Sequence, residues 1–167
     1  NGGQLKDLEP TDKTHIEFLC FNATEFNTGL RYRFQVGKKR VFFGSKGLQL
    51  GKAIYREFRL GDVTAASSAF TGGFEPIAMP EDFVAPQSKT FKAIKQKKGY
   101  KEPVGLMDGG IYDNQGITGI EEYEDNKGVA PFDLILVSDV SSPYLEDFDF
   151  SKEKHHGIRE KSINQIV

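Results

Sequence analysis

HIEFLCFNATEFNTGLRYRFQV, His15 to Val36, reads as a strand, a turn and a second strand. His15–Glu25 is the apolar-rich run of a buried strand. Asn27-Thr28-Gly29 supplies residue types that tolerate tight turns. Arg31–Val36 alternates polar and apolar side chains, as a half-buried strand does. Gly37-Lys38-Lys39 turns the chain again, and Arg40–Phe43 is expected to continue the sheet as a hairpin. Downstream, Lys52–Arg59 is expected to form a short helix. Asp62 is the expected N-cap of a second helix, Val63–Phe70, whose small residues suit close packing on a sheet, and Gly72-Gly73 ends it. Phe74–Met79 is short, extended and broken by Pro76; Val104–Met107 is a short strand; Ile117–Tyr123 is a helix candidate. Phe132–Val140 (FDLILVSDV) has the continuous apolar run of an interior strand covered on both faces. Strands and helices thus alternate after residue 44, which predicts an α/β layered domain.

Composition limits the function classes. The 167 residues suffice for one domain with a sizeable core. Hydrophobic and charged contents of 38% and 28% are ordinary for a globular chain. A net charge of -2 gives no global signal for a nucleic-acid partner. Cys20 is the single cysteine, so no internal disulfide forms, and its apolar setting (Phe18, Leu19, Phe21) predicts a buried, inert thiol. No apolar run approaches the roughly 18 residues of a membrane-spanning helix. The chain opens on Asn1-Gly2-Gly3 and closes within an emerging amphipathic pattern (Ile158, Ile163, Ile166, Val167), so it is expected to be a piece of a larger protein.

MDGGIYDNQG, Met107 to Gly116, is the stretch most suggestive of chemistry. Asp108 follows a short strand and precedes two glycines. In α/β sheets the C-terminal ends of strands collect ligands and catalytic groups. A carboxylate there can act as a general base, and the glycines can admit a substrate or supply unusual backbone angles. The bland reading is that Asp108 only bonds local backbone N–H groups. Asp113 and Asn114 suit a helix start or an Asx turn. Asp108, Asp113 and Asn114 also supply hard oxygen ligands, but not at the spacing of a calcium-binding loop, and no metal or cofactor is implied. His15, His155, His156, Ser67 and Ser68 carry no catalytic pattern, and Phe43-Gly44-Ser45-Lys46-Gly47 lacks the spacing of a serine elbow.

Three stretches resemble the patatin family in order. FNATEFNTGLRYRF (Phe21–Phe34) is similar to its A-T-[DE]-x-x-T-G strand and turn; AASSAFTGGFEPI (Ala65–Ile77) resembles its helix-to-loop segment; LMDGGIYDNQGI (Leu106–Ile117) resembles its D-G-[AG] block, with LILVSDV (Leu134–Val140) like the strand that follows. The resemblance implies a three-layer α/β/α sandwich with a mainly parallel central sheet. It implies lipid acyl hydrolysis of the phospholipase A or esterase type by a serine–aspartate dyad. Asp108 would be the base, Gly109 and Gly110 its turn, and Asn114 a structural support. The implied substrate is a lipid ester.

The family's oxyanion loop and G-x-S-x-G serine precede the A-T-[DE] strand, and this sequence holds neither. Residues 1–140 are therefore expected to be the C-terminal half of the catalytic domain. The nucleophile would stand on an N-terminal fragment of the same protein, and 141–167 form a charged tail. The alternative is a catalytically inactive lipid-binding or protein-interaction module. Residues 77–107 form an enlarged insertion rich in lysine. Lys89, Lys92, Lys95, Lys97 and Lys98, with Phe91 and Ile94 among them, are candidates for contact with an anionic lipid surface, a peripheral membrane role. The bland alternative is a solvated helix or loop. Thr71-Gly72 and Gly116 stand where the family's motifs carry proline.

Overall fold

The computed structural model describes residues 2–37, 42–45, 48–100, 104–121 and 132–138. The chain divides into two compact units, Asn1–Pro131 and Phe132–Val167. After a 3-10 turn, Leu5–Leu8, the first unit runs β1 (Phe18–Glu25), β2 (Arg31–Gly37), β3 (Phe42–Gly44), α1 (Lys52–Tyr55), α2 (Leu60–Ser68), β4 (Ile77–Met79), α3 (Lys89–Lys95), β5 (Val104–Asp108), α4 (Gly110–Asp113) and α5 (Ile117–Glu121). The strands form one curled half-barrel sheet in the order β3-β2-β1-β5-β4, and every pairing is antiparallel. Among the described residues no helix is long and apolar enough to cross a membrane.

The β1–β2 hairpin organises this sheet. Gly29 takes φ +65°, and the Gly29 and Leu30 ends of the turn close onto Glu25 through two hydrogen bonds of 2.8 Å. The register pairs Leu19 with Val36, Phe21 with Phe34 and Ala23 with Tyr32. Strand alternation then sorts the side chains. Tyr32, Phe34 and Val36 are fully buried in the apolar core. Arg31, Arg33 and Gln35 face the other side with Cys20, Asn22 and Thr24, the residues cross-strand from them or adjacent in register.

The core is built on aromatic rings. Phe34 lies 5.1 Å from Tyr32, 5.7 Å from Phe83, 6.2 Å from Phe43 and 6.3 Å from Phe58, centroid to centroid. Phe43 stacks on Tyr55 at 3.9 Å, which ties β3 to α1. The Tyr55 hydroxyl donates to Glu9, whose carboxylate also receives two bonds from the Arg56 guanidinium. Those bonds hold the Glu9 carboxyl below its ordinary pKa. Both sheet edges are closed by the chain itself. The Ala78 N–H donates to Asp82 Oδ2 at 2.7 Å while the Asp82 N–H donates to the Ala78 carbonyl, and the Leu50 N–H donates to the Phe43 carbonyl.

The α/β/α sandwich with a mainly parallel sheet is overturned. Five residues separate β1 from β2 and four separate β2 from β3. Connections this short make hairpins, whereas a parallel pair needs a crossover of about a dozen residues or more. β5 then adds antiparallel to the free edge of β1, with Ala23 opposite Asp108. The expected interior strand is also missing from residues 132–138. They form no strand, and Leu134–Val137 are 44–85% exposed. Residues 139–140, the tail 141–167 with His155 and His156, and the turn at Lys38-Lys39 lie outside the described residues. Asp62 is not a cap: α2 begins at Leu60, its N-cap is Arg59, and Asp62 forms an ion pair with Arg59 at 2.6 Å.

Phe34→Ala removes the ring that four others share. It is expected to destabilise the chain by about 3–5 kcal/mol in chemical denaturation. A loss below about 1 kcal/mol would show that the surrounding rings do not depend on it.

Candidate functional site

The aspartate–glycine motif sits where three separated stretches meet. Asp108 ends β5, opposite Ala23 on β1. The Thr24 hydroxyl donates to the Asp108 carbonyl at 2.9 Å. The Asp108 N–H donates to the Ala69 carbonyl at 3.0 Å, and the Gly109 N–H to the Ser67 carbonyl at 3.2 Å, both at the C-terminal end of α2. So the backbone of the motif is fastened on one side by β1 and on the other by α2. Asp108 Oδ1 accepts from the Gly110 N–H at 2.7 Å, which closes an Asx turn. The second carboxylate oxygen has no hydrogen bond of its own among those of the described residues.

The glycines serve packing. Gly109 has φ -66°, an ordinary helical value. A Cβ there would collide with the Asn22 carbonyl and come within 2.8 Å of the Asn22 Cβ. At Gly110 a Cβ would come within 2.7 Å of Asn114 Oδ1 and 3.1 Å of Asp108 Oδ1. Asn114 therefore lies directly over the turn. Asp113 Oδ2 accepts from the Thr118 N–H at 3.1 Å and so holds the start of α5. Gly116 adopts φ +71°, which proline cannot reach, so this loop has a geometry that the proline of the patatin motif could not take.

α4 and α5 fold over the polar side of the β1–β2 pair. The Arg31 guanidinium lies 5.6 Å from the centre of the Tyr112 ring. A Cβ at Gly119 would sit 3.7 Å from Cys20 Sγ and 3.9 Å from both Arg33 Nη1 and Asn22 Oδ1. Arg33, Gln35 and Thr24 on this side are themselves buried. Burial pushes the Cys20 thiol up to about 11, although Arg33 and Arg31 pull it down; Asp113 adds to the rise. The Cys20 Sγ reaches Asn22 Oδ1 at 3.5 Å. Among the described residues, no group of three or more His, Cys, Asp or Glu side chains is arranged to hold a metal ion.

The predicted site residues separate into two places. Asp108, Gly109, Gly110 and Asn114 form one turn. The lysines stand on and just beyond α3. Tyr100, which follows them, donates its hydroxyl to the Met79 carbonyl at the Met79–Val104 end of the β4–β5 pair, away from Asp108. Ile94 is fully buried in the core and Phe91 is half-buried, so neither is the outward apolar contact expected for a lipid surface. Lys95 pairs with Glu81 at 3.1 Å and covers the Phe91 ring at 4.9 Å. An open groove of about 530 Å³ lies elsewhere, lined by Gln4, Glu57, Arg59, Glu81 and Asp82 among others, with no residue of the aspartate turn. Sequence reading gave no role to Asn22, Thr24 or Ser67. The available signal was the polar alternation Cys20, Asn22, Thr24, whose contacts arise only when β5 and α4 arrive.

Gly109→Ala is expected to cost about 1–3 kcal/mol through collision with β1, whereas Gly61→Ala, in open space on α2, should be neutral or stabilising by up to about 1 kcal/mol. Thermal melts of both variants check the contrast. Cys20 in the folded chain is expected to react with iodoacetamide at pH 8 about a hundredfold more slowly than in the urea-unfolded chain. Its rate should climb with pH toward about 11. Equal folded and unfolded rates would contradict the burial described. Comparisons with protein-family models, curated proteins and solved structures find no match, so the site stands on its own geometry.

Proposed function

We propose that this chain is the aspartate-bearing portion of a patatin-like lipid acyl hydrolase, with Asp108 as general base. The antiparallel sheet is not the family's parallel sandwich and gives this reading no support. What supports it is the convergence of the three resembling stretches on a single turn: Thr24 from the first and Ser67 and Ala69 from the second hydrogen-bond to Asp108 and Gly109 of the third.

In the proposed reaction the nucleophilic serine is carried by a G-x-S-x-G segment outside these 167 residues. Its Oγ attacks the ester carbonyl carbon while its proton passes to Asp108, whose Oδ2 is the oxygen not engaged by Gly110. The tetrahedral intermediate collapses, the C–O bond to the alcohol breaks, and Asp108 returns the proton to the leaving oxygen. Water then cleaves the acyl-enzyme with the same carboxylate as base. The reaction requires neither a metal nor an organic cofactor, and its substrate is a lipid ester.

A second reading has one observation in its favour. The 2.7 Å bond from Gly110 already gives Asp108 a structural duty, which suits an inactive lipid-binding or interaction module. Asp108→Asn separates the two. An asparagine Oδ1 still accepts from the Gly110 N–H, so the turn survives while the base is lost. In the complete protein the variant is expected to melt near wild type and hydrolyse esters at least about a hundredfold more slowly. Hydrolysis at the wild-type rate would defeat the assignment, and a complete protein without esterase activity would favour the module.

A further inference from the structure

We infer that the lysine face of α3 and the turn after it dock on an anionic lipid bilayer by charge alone, without inserting apolar side chains. Charge is concentrated there. Residues 83–101 contain six lysines and no acidic residue, in a chain whose net charge is -2. The remaining chain therefore carries -2 minus +6, or -8. Lys89, Lys92, Lys97 and Lys98 are exposed, and Lys95 is the one of the described five held back by Glu81.

The packing turns this run into a platform. Ser88 caps α3 by accepting the Phe91 N–H at 2.9 Å. Thr90 and Ile94 are buried, which fixes the helix to the core on one side and leaves Lys89 and Lys92 exposed, with Lys97 and Lys98 exposed in the turn that follows. The ion pair with Glu81 accounts for Lys95, and favourable interaction with the helix C-terminus accounts for Lys97 and Lys98. It does not account for Lys89, the first residue of α3, where the same dipole disfavours a cation.

The chemistry of the face selects its partner. Nucleic-acid surfaces favour arginine forks and aromatic platforms for bases. Residues 83–101 contain no arginine, and none of their three aromatic residues is free to stack: Phe83 is buried in the core, Phe91 is half-buried beneath Lys95, and Tyr100 is half-buried and bonded to Met79. Flexible ammonium groups on a fixed helix suit the diffuse negative potential of a headgroup layer. The choice of a bilayer over other polyanions also rests on the lipid-ester reading above. Because Ile94 and Phe91 are engaged by the protein, the attachment is purely electrostatic and places a lipid-active protein at its substrate surface without a hydrophobic anchor from this helix.

Sedimentation with vesicles tests the inference without requiring hydrolysis. The full chain is mixed with vesicles of phosphatidylcholine alone or of phosphatidylcholine and phosphatidylserine in equal parts. It is expected to bind only the mixed vesicles at low salt, and to be released when the Debye length is shortened to about 3 Å. The K89E/K92E/K97E/K98E variant should bind at least about tenfold more weakly while melting near wild type, because all four side chains are exposed. Asp108→Asn should bind as wild type, so failure of the catalytic proposal leaves this result untouched. Equal binding to both vesicle types, no binding to the mixed vesicles, unchanged binding by the lysine variant, or preference for a DNA duplex over the mixed vesicles would each overturn the inference.

Discussion

The two-sidedness of β2 is the constraint on which the rest depends. Tyr32, Phe34 and Val36 must leave water, and the pleat then forces Arg31, Arg33 and Gln35 to the opposite face. A one-residue slip against β1 would exchange the two sets, burying the guanidinium groups among the rings. The apolar side gathers Phe43, Phe58 and Phe83 around Phe34 and draws in β3, α1 and the segment before α3. The polar side needs a different cover. α4 and α5 provide it, with Tyr112 over Arg31 and Gly119 near Arg33 and Cys20.

This requirement explains why so many special residues occur between Met107 and Gly116. The chain leaves β5 at Asp108 and must turn at once onto Asn22. No side chain fits at Gly109, and the Asn114 amide occupies the space at Gly110. The carboxylate of Asp108 holds this turn through one oxygen, and the other receives no hydrogen bond from the described residues. The structural duty seen here therefore does not conflict with the catalytic duty proposed above, since a carboxylate has two oxygens and several lone pairs.

Local patterning recovered the elements well where one face of a strand or one stripe of a helix is buried. β1, β2, the short helix at Lys52 and the strand before Asp108 all occur near their expected places, because alternation and turn chemistry act within a few residues. Leu134–Val137 shows the limit. A continuous apolar run has no period, so it says that burial is favourable but not that burial occurs, and these side chains are exposed. Ile94 shows the converse: among lysines it resembled an outward lipid contact, yet the core takes it.

By itself the sequence determined the hairpin, the sorting of β2 side chains to two faces, the position of the single thiol within a strand and the concentration of positive charge before β5. These follow from short-range sterics, periodicity and composition. Only the tertiary structure decided that β5 runs antiparallel to β1, that Asp108 stands opposite Ala23 beneath the end of α2, and that the glycines admit Asn22. Strand direction and partner are set by burial between residues up to 85 positions apart (Ala23 and Asp108), where no local pattern reaches and several topologies satisfy the same periodicity.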